Sequence, residues 1–173
     1  MQFQGSLQYK GDTIRISPSE YFLVDANKRV REFKSTDFSG GSPNTLSYVY
    51  NYDGSGYLVN KEVFFSGSPF PLLRFSYIWS GQNLVAIEGA FAISGLNQKV
   101  LTATLEYDAS KTVKNFIQVL PDGFENAPYI MGLDLGKKSR NLLNKYIVSL
   151  YDDQGDLDEV YTMNFSNYKF SSD

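Results

Sequence analysis

Apolar and polar residues alternate along most of this chain, and the alternation stops at short runs of Gly, Asp, Ser and Asn. The stretch Tyr48–Leu58 shows the unit. Tyr48, Tyr50 and Tyr52 alternate, Asp53-Gly54-Ser55-Gly56 turns the chain, and Tyr57-Leu58-Val59 begins a second strand. A period of two broken by a Gly-rich turn predicts a β-hairpin. The same pattern predicts hairpins around Lys10-Gly11-Asp12, Asp25–Lys28, Ser80–Asn83 and Asp152–Asp156. Another is predicted at Ala109-Ser110-Lys111, joining a strand Lys99–Asp108 to a strand Thr112–Leu120. Pro18 lacks an amide hydrogen, so the N-terminal part is expected to hold an edge strand or a bulge.

The turns align. Asp25, Asp53, Trp79, Asp108 and Asp152 each stand five residues before an aliphatic: Val30, Leu58, Leu84, Val113 and Leu157. The anchors are 28, 26, 29 and 44 residues apart, an imperfect internal repeat. An anchor Asp can bond the backbone of the turn it opens, and each aliphatic is expected to return the chain to the buried face. The long last interval holds an insertion at about Pro121–Asn144. Within it, Leu133, Leu135, Leu142 and Leu143 are interleaved with Lys137, Lys138 and Arg140. A short helix within Met131–Leu143 and an irregular covering loop both fit. A connection this long is expected to have a task, such as closing a cavity.

Ten or more strands in hairpin order are too many for a flat open sheet. The expected architecture is all-β: an antiparallel meander forming a barrel or strongly rolled sheet, with a β-sandwich as the alternative. At 173 residues the chain is expected to be a single domain that buries its core without disulfides.

Composition narrows the chemistry. Thirteen Tyr, 13 Phe and one Trp favour strands, and they also favour binding surfaces. With no Cys and no His, cysteine nucleophiles, imidazole acid–base catalysis and Cys/His zinc sites are excluded. A net charge of −3 argues against nucleic acid as a partner. No apolar run is long enough for a transmembrane helix, and no cofactor is expected. Met1 followed by Gln-Phe-Gln shows no secretory signal, and reads as an expression start or as a mature domain whose leader was removed.

The pattern in Tyr48–Leu58 resembles the tyrosine-aspartate repeats of large surface and toxin-shell proteins, although those repeats are shorter. Taken with Leu133-Asp134-Leu135-Gly136-Lys137-Lys138-Ser139-Arg140-Asn141-Leu142, the chain more closely resembles a family of uncharacterised secreted lipoproteins of Gram-negative gut anaerobes. The resemblance runs loosely over Tyr21–Tyr168. It implies a domain of repeated hairpins with a porin-like barrel fold. It also implies an exported protein, periplasmic or anchored to the outer membrane through a lipidated Cys preceding Met1. It supplies no catalytic residues.

Two aromatic stripes are the candidate ligand-binding residues: Tyr48, Tyr50 and Tyr52 on one strand face, and Phe75, Tyr77 and Trp79 on another. Such faces line apolar cavities or stack on sugars; equally, they form core and cross-strand pairs. The acidic run Asp152–Glu159 has calcium-binding residue types but not EF-hand spacing, and reads as a solvated turn. Gly132–Ser139 fails the phosphate-loop spacing, which leaves Lys137, Lys138, Arg140 and Lys145 as a basic surface cluster. Glu62, Glu88, Glu106 and Asp108 lie on predicted strands, and no spacing pairs any two of them for glycoside hydrolysis. The expectation is a non-catalytic, exported binding or surface-interaction domain. Its ligand would be lipid-like or otherwise apolar. The alternatives are a glycan- or protein-binding surface module and a glycoside hydrolase-like enzyme.

Overall fold

The computed structural model describes residues 7–37, 43–93, 96, 98–113 and 133–166. Among these, eleven strands follow one another: β1 (Gln8–Lys10), β2 (Thr13–Arg15), β3 (Glu20–Val24), β4 (Val30–Asp37), β5 (Asn44–Tyr52), β6 (Leu58–Phe65), β7 (Leu73–Ser80), β8 (Asn83–Phe91), β9 (Lys99–Thr112), β10 (Asn141–Tyr151) and β11 (Leu157–Asn164). They form one antiparallel sheet in the order β1 to β11. Every second side chain from β2 to β10 enters a single core, which runs from Ile14 through Phe33, Phe75 and Ile87 to Val148. A sheet with no second layer over it can bury one face only by curling around that face. Among the described residues β1 and β11 do not pair, so the sheet is a roll with an open seam.

The curl has a local cause. The register slips at Leu23/Val24, Asn51/Tyr52, Ile78/Trp79 and Leu150/Tyr151. Each bulge directly precedes a turn and adds right-handed twist there. The repeated anchor of the sequence is therefore a bulge followed by a turn.

The outer face is polar. Glu62 pairs with Arg74 at 2.7 Å, Glu106 with Lys145 at 3.3 Å and Glu32 with Lys34 at 3.2 Å. The hydroxyls of Thr36 and Thr45 meet at 3.0 Å, and Ser47 donates to Glu32.

Two expectations need correcting, and one open alternative is resolved. Ala109-Ser110-Lys111 is not a hairpin turn: β9 runs on to Thr112, which pairs with Asn141. The Asn141 side-chain amide holds that extension by donating to the carbonyls of Ala109 and Lys111, both at 3.2 Å. Residues 114–120 lie outside the described residues. The anchor Asp152 turns at the opposite end of the strands from Asp25, Asp53 and Trp79, and its aliphatic, Leu157, is 59% exposed instead of buried. Finally, residues 133–140 form no helix, and β10 already begins at Asn141. The covering-loop alternative describes them, whereas 121–132 fall outside the described residues. Pro18 sits in the β2–β3 connection, where its missing amide costs no ladder bond.

Candidate functional site

Residues 133–140 cross one end of the roll as a strap that touches three hairpin ends in succession, β3–β4, β5–β6 and β7–β8. The Val30 amide donates to the Asp134 carbonyl at 2.7 Å, the Lys137 amide to the Gly56 carbonyl at 2.9 Å, and the Arg140 amide to the Gln82 carbonyl at 3.1 Å. The buried Ser139 hydroxyl accepts the Leu84 amide at 3.0 Å and meets the Tyr107 hydroxyl at 2.9 Å. Asn141 and Asn83 then bond each other twice, at 2.9 and 3.0 Å. Leu135 drops from the strap into the core and is 4% exposed. Irregular backbone lies across strand ends only when its polar groups find partners, and these bonds supply them.

One residue decides how closely the strap can lie. Gly136 has φ +83°, and a Cβ there would sit 2.5 Å from the Gly56 carbonyl oxygen and 2.9 Å from the Tyr52 ring. Tyr52 is clamped as well: Arg29 covers its ring at 4.4 Å, and its hydroxyl donates to the Val30 carbonyl at 2.6 Å. Burial, with the Asp134 charge adding to it, pushes the Tyr52 hydroxyl well above the ordinary tyrosine range. In the neighbouring turn, partial burial pushes the Asp25 carboxyl up. The hydrogen bonds and charge of Arg29 outweigh it and leave Asp25 below its usual value.

Beside the strap lies an open cleft of about 540 Å³, lined by Tyr57, Gln82, Lys137, Lys138, Ser139 and Arg140 among others. The Tyr57 ring is 4.6 Å from Trp79 and 5.1 Å from the Lys137 ammonium. The Trp79 indole donates to the Leu58 carbonyl at 2.7 Å, which fixes its ring against the cleft wall. A second groove, of about 400 Å³, runs over the outer face at Glu32, Lys34, Thr45, Ser47, Phe64 and Phe65.

Both aromatic stripes read from the sequence face inward. Tyr48, Tyr50, Phe75 and Tyr77 are buried in the core; Tyr52 and Trp79 are half-buried at the strapped end. Of the six, only these last two approach the cleft, through the strap and through Tyr57. The carboxylates Glu62 and Glu106 are taken up in outer-face ion pairs. Asp108 bonds Ser110 and Lys111, and those bonds hold its carboxyl below the usual range. The Asp152 carboxylate accepts the amides of Gln154 and Asp156, both at 2.9 Å. Sequence reasoning missed Tyr57, Gln82 and Lys61. Lys61 is 1% exposed, with its ammonium 4.7 Å from the Phe75 ring. Its only signal was its place in the alternation, two residues before the apolar Val63.

A porin-like protein from Bacteroides uniformis, known from its crystal structure, is similar to this chain with a TM-score of 0.56 at 14% identity. The similarity covers 91% of this chain and 74% of the other, and at that identity it is one of fold. No protein-family profile matches the chain, and no curated protein matches it in sequence.

Proposed function

We propose that this chain is a non-catalytic, exported binding or surface-interaction domain that works in water, with its working surface at the strapped end of the roll. The cleft beside the strap carries this proposal. There, side chains from separate hairpins (Tyr57, Gln82) and the strap cations converge around open space. Catalysis finds little support there. The described lining holds no carboxylate, and the chain has no His or Cys to act as base or nucleophile.

Placement in water is supported by the outer face. A barrel that crosses a membrane by its strands turns an apolar band outward and keeps polar groups within. This roll has the reverse arrangement, with aromatic rings inside and the ion pairs Glu62–Arg74 and Glu106–Lys145 outside.

A lipid-like ligand in the interior is the second reading. The open seam favours it, because Tyr161 and Met163 on the inner face of β11 are about half exposed. The sole tryptophan, Trp79, separates the two. A panel of fatty acids, detergent monomers and glycans is scored by melting temperature and Trp79 emission. A ligand bound at the cleft raises the melting temperature by mass action, shifts the emission, and loses both effects in Tyr57→Ala. A ligand that stabilises the protein equally in Tyr57→Ala places the working surface elsewhere. Chromogenic glycosides and esters are expected to show no turnover. Turnover abolished by one carboxylate-to-amide substitution overturns the non-catalytic assignment.

A further inference from the structure

We infer that the cleft at the strapped end is a binding site for a phosphate or sulfate ester, an inference that rests on the strapped end being the working surface. Three cations, Lys137, Lys138 and Arg140, stand within four residues of strap and line the same cleft with the Gln82 carboxamide. Elsewhere on the described surface, Arg29, Arg74, Lys111 and Lys145 each have a carboxylate within 3.3 Å. Among the described residues, none pairs with Lys137, Lys138 or Arg140. A protein of net charge −3 thus keeps a local excess of positive charge at one end. At the other end of the strands, the β10–β11 turn and the start of β11 carry the exposed acids Asp153, Asp156, Asp158 and Glu159.

The cations are also preorganised. The Lys137 and Arg140 amides are bonded to Gly56 and Gln82, and the Ser139 hydroxyl is bonded between them, so the backbone carrying the charges is fixed before any ligand arrives. Fixed donors bind without the cost of ordering a loop. The ligand class follows from what the cleft offers and what it withholds. Trp79 and Lys137 both contact the Tyr57 ring, which reduces the ring area left for stacking on a neutral sugar. A guanidinium fork and two ammonium groups match an oxyanion with several charged oxygens better than a single carboxylate. Nucleic acid, which needs cations spread along many phosphates, exceeds one cluster of three.

The test uses the full chain at low ionic strength. Trp79 emission and calorimetry are recorded with a sulfated heparin-type oligosaccharide, its desulfated counterpart, and vesicles of phosphatidylcholine with and without phosphatidylglycerol. The expected result is that an anionic probe binds and its neutral counterpart does not. The double variant Lys138→Gln/Arg140→Gln should weaken binding roughly tenfold or more, while Lys99→Gln, at the far end, leaves it unchanged. Preference for the oligosaccharide assigns the ester to a glycan, and preference for phosphatidylglycerol assigns it to a lipid headgroup. No binding of any anionic probe overturns the inference, as does equal loss in the double variant and in Lys99→Gln. A neutral probe that binds through Tyr57 and ignores the double variant overturns the ester but keeps the strapped end as the working surface. A probe that binds in wild type and Tyr57→Ala alike, without moving Trp79, overturns both.

Discussion

In the turn Asp53–Tyr57 the Asp53 carboxylate accepts the amides of Ser55 and Tyr57, both at 2.9 Å, and Gly56 has φ +92°. In the turn Asp152–Asp156 the Asp152 carboxylate accepts the amides of Gln154 and Asp156, again at 2.9 Å, and Gly155 has φ +84°. Each turn follows a bulge at a Tyr. Their surroundings differ. The strap lies against the first through Gly136 and Lys137, and Leu58 behind it is 2% exposed. The second meets Gln98, whose side-chain amide donates to the Asp152 carbonyl at 3.0 Å, and Leu157 behind it is 59% exposed. Five residues of local chemistry therefore determine the turn. What lies over it is determined by residues far away in the chain: the strap builds a cleft beside the first turn.

Substitutions made in pairs, one at each end, test this contrast by denaturant unfolding. The largest difference is expected at glycine. Gly136→Val forces a branched side chain into the Gly56 carbonyl and the Tyr52 ring at a left-handed φ, and should cost about 3 kcal/mol or more. Gly155→Val has similar φ strain but room, with its nearest contact at 3.5 Å, and should cost about 1 kcal/mol. Equal costs would mean that the strap does not seal the end.

Leucine comes next. Leu135→Ala should lose about 2–3 kcal/mol, and Leu157→Ala about 0.5 kcal/mol or less, because only the first is enclosed. Ser139→Ala leaves the Leu84 amide without its acceptor and should cost about 1–2 kcal/mol. Its counterpart Asp153→Asn, on an exposed side chain, should stay within about 0.5 kcal/mol.

The smallest effect is in pH. Asp25 and Asp108, both at the strapped end, have carboxyls held below their ordinary value. A depressed folded-state value adds stability that is complete above the unfolded pKa, about 4, and is lost as pH falls through the folded value. Stability should therefore stay level from about pH 5 to 8, since no His titrates there, and decline in acid. Asp25→Asn should make that decline shallower; an unchanged acid limb would remove the Arg29–Asp25 pair from the stability of this end.

The strands and most turns were legible because their signals are local. Alternation gives the buried face of β5 and β7, and Asp gives the turns at Asp25, Asp53 and Asp152, joined by Gly in the last two. The false turn at Ala109 shows where local evidence runs out. Asp108 bonds the Ser110 amide as a turn-opening Asp does, at 3.0 Å, but Asn141 captures the carbonyls on either side and keeps the strand going. The strap was half legible: an irregular covering loop was one of the two forms the sequence left open. Its two leucines, continued by Leu142 and Leu143, and the interleaved cations also fit a helix, and its partners sit on hairpins far back in the chain. Lys61 was missed because alternation gives the face of a residue and not what surrounds its charge.

The strap also bears on how the molecule assembles. Every strand pairs with its neighbour in sequence, so each hairpin can close soon after its own residues meet. The strap cannot: Ser139 reaches back 55 residues to Leu84, and Asn141 reaches back 58 to Asn83. Closing loops of that length is slow compared with closing a hairpin. The expected order of events is therefore hairpins first and strap last. In that order the cleft comes into being at the final step, so occupancy of that end would report a completed fold and not a partly folded one.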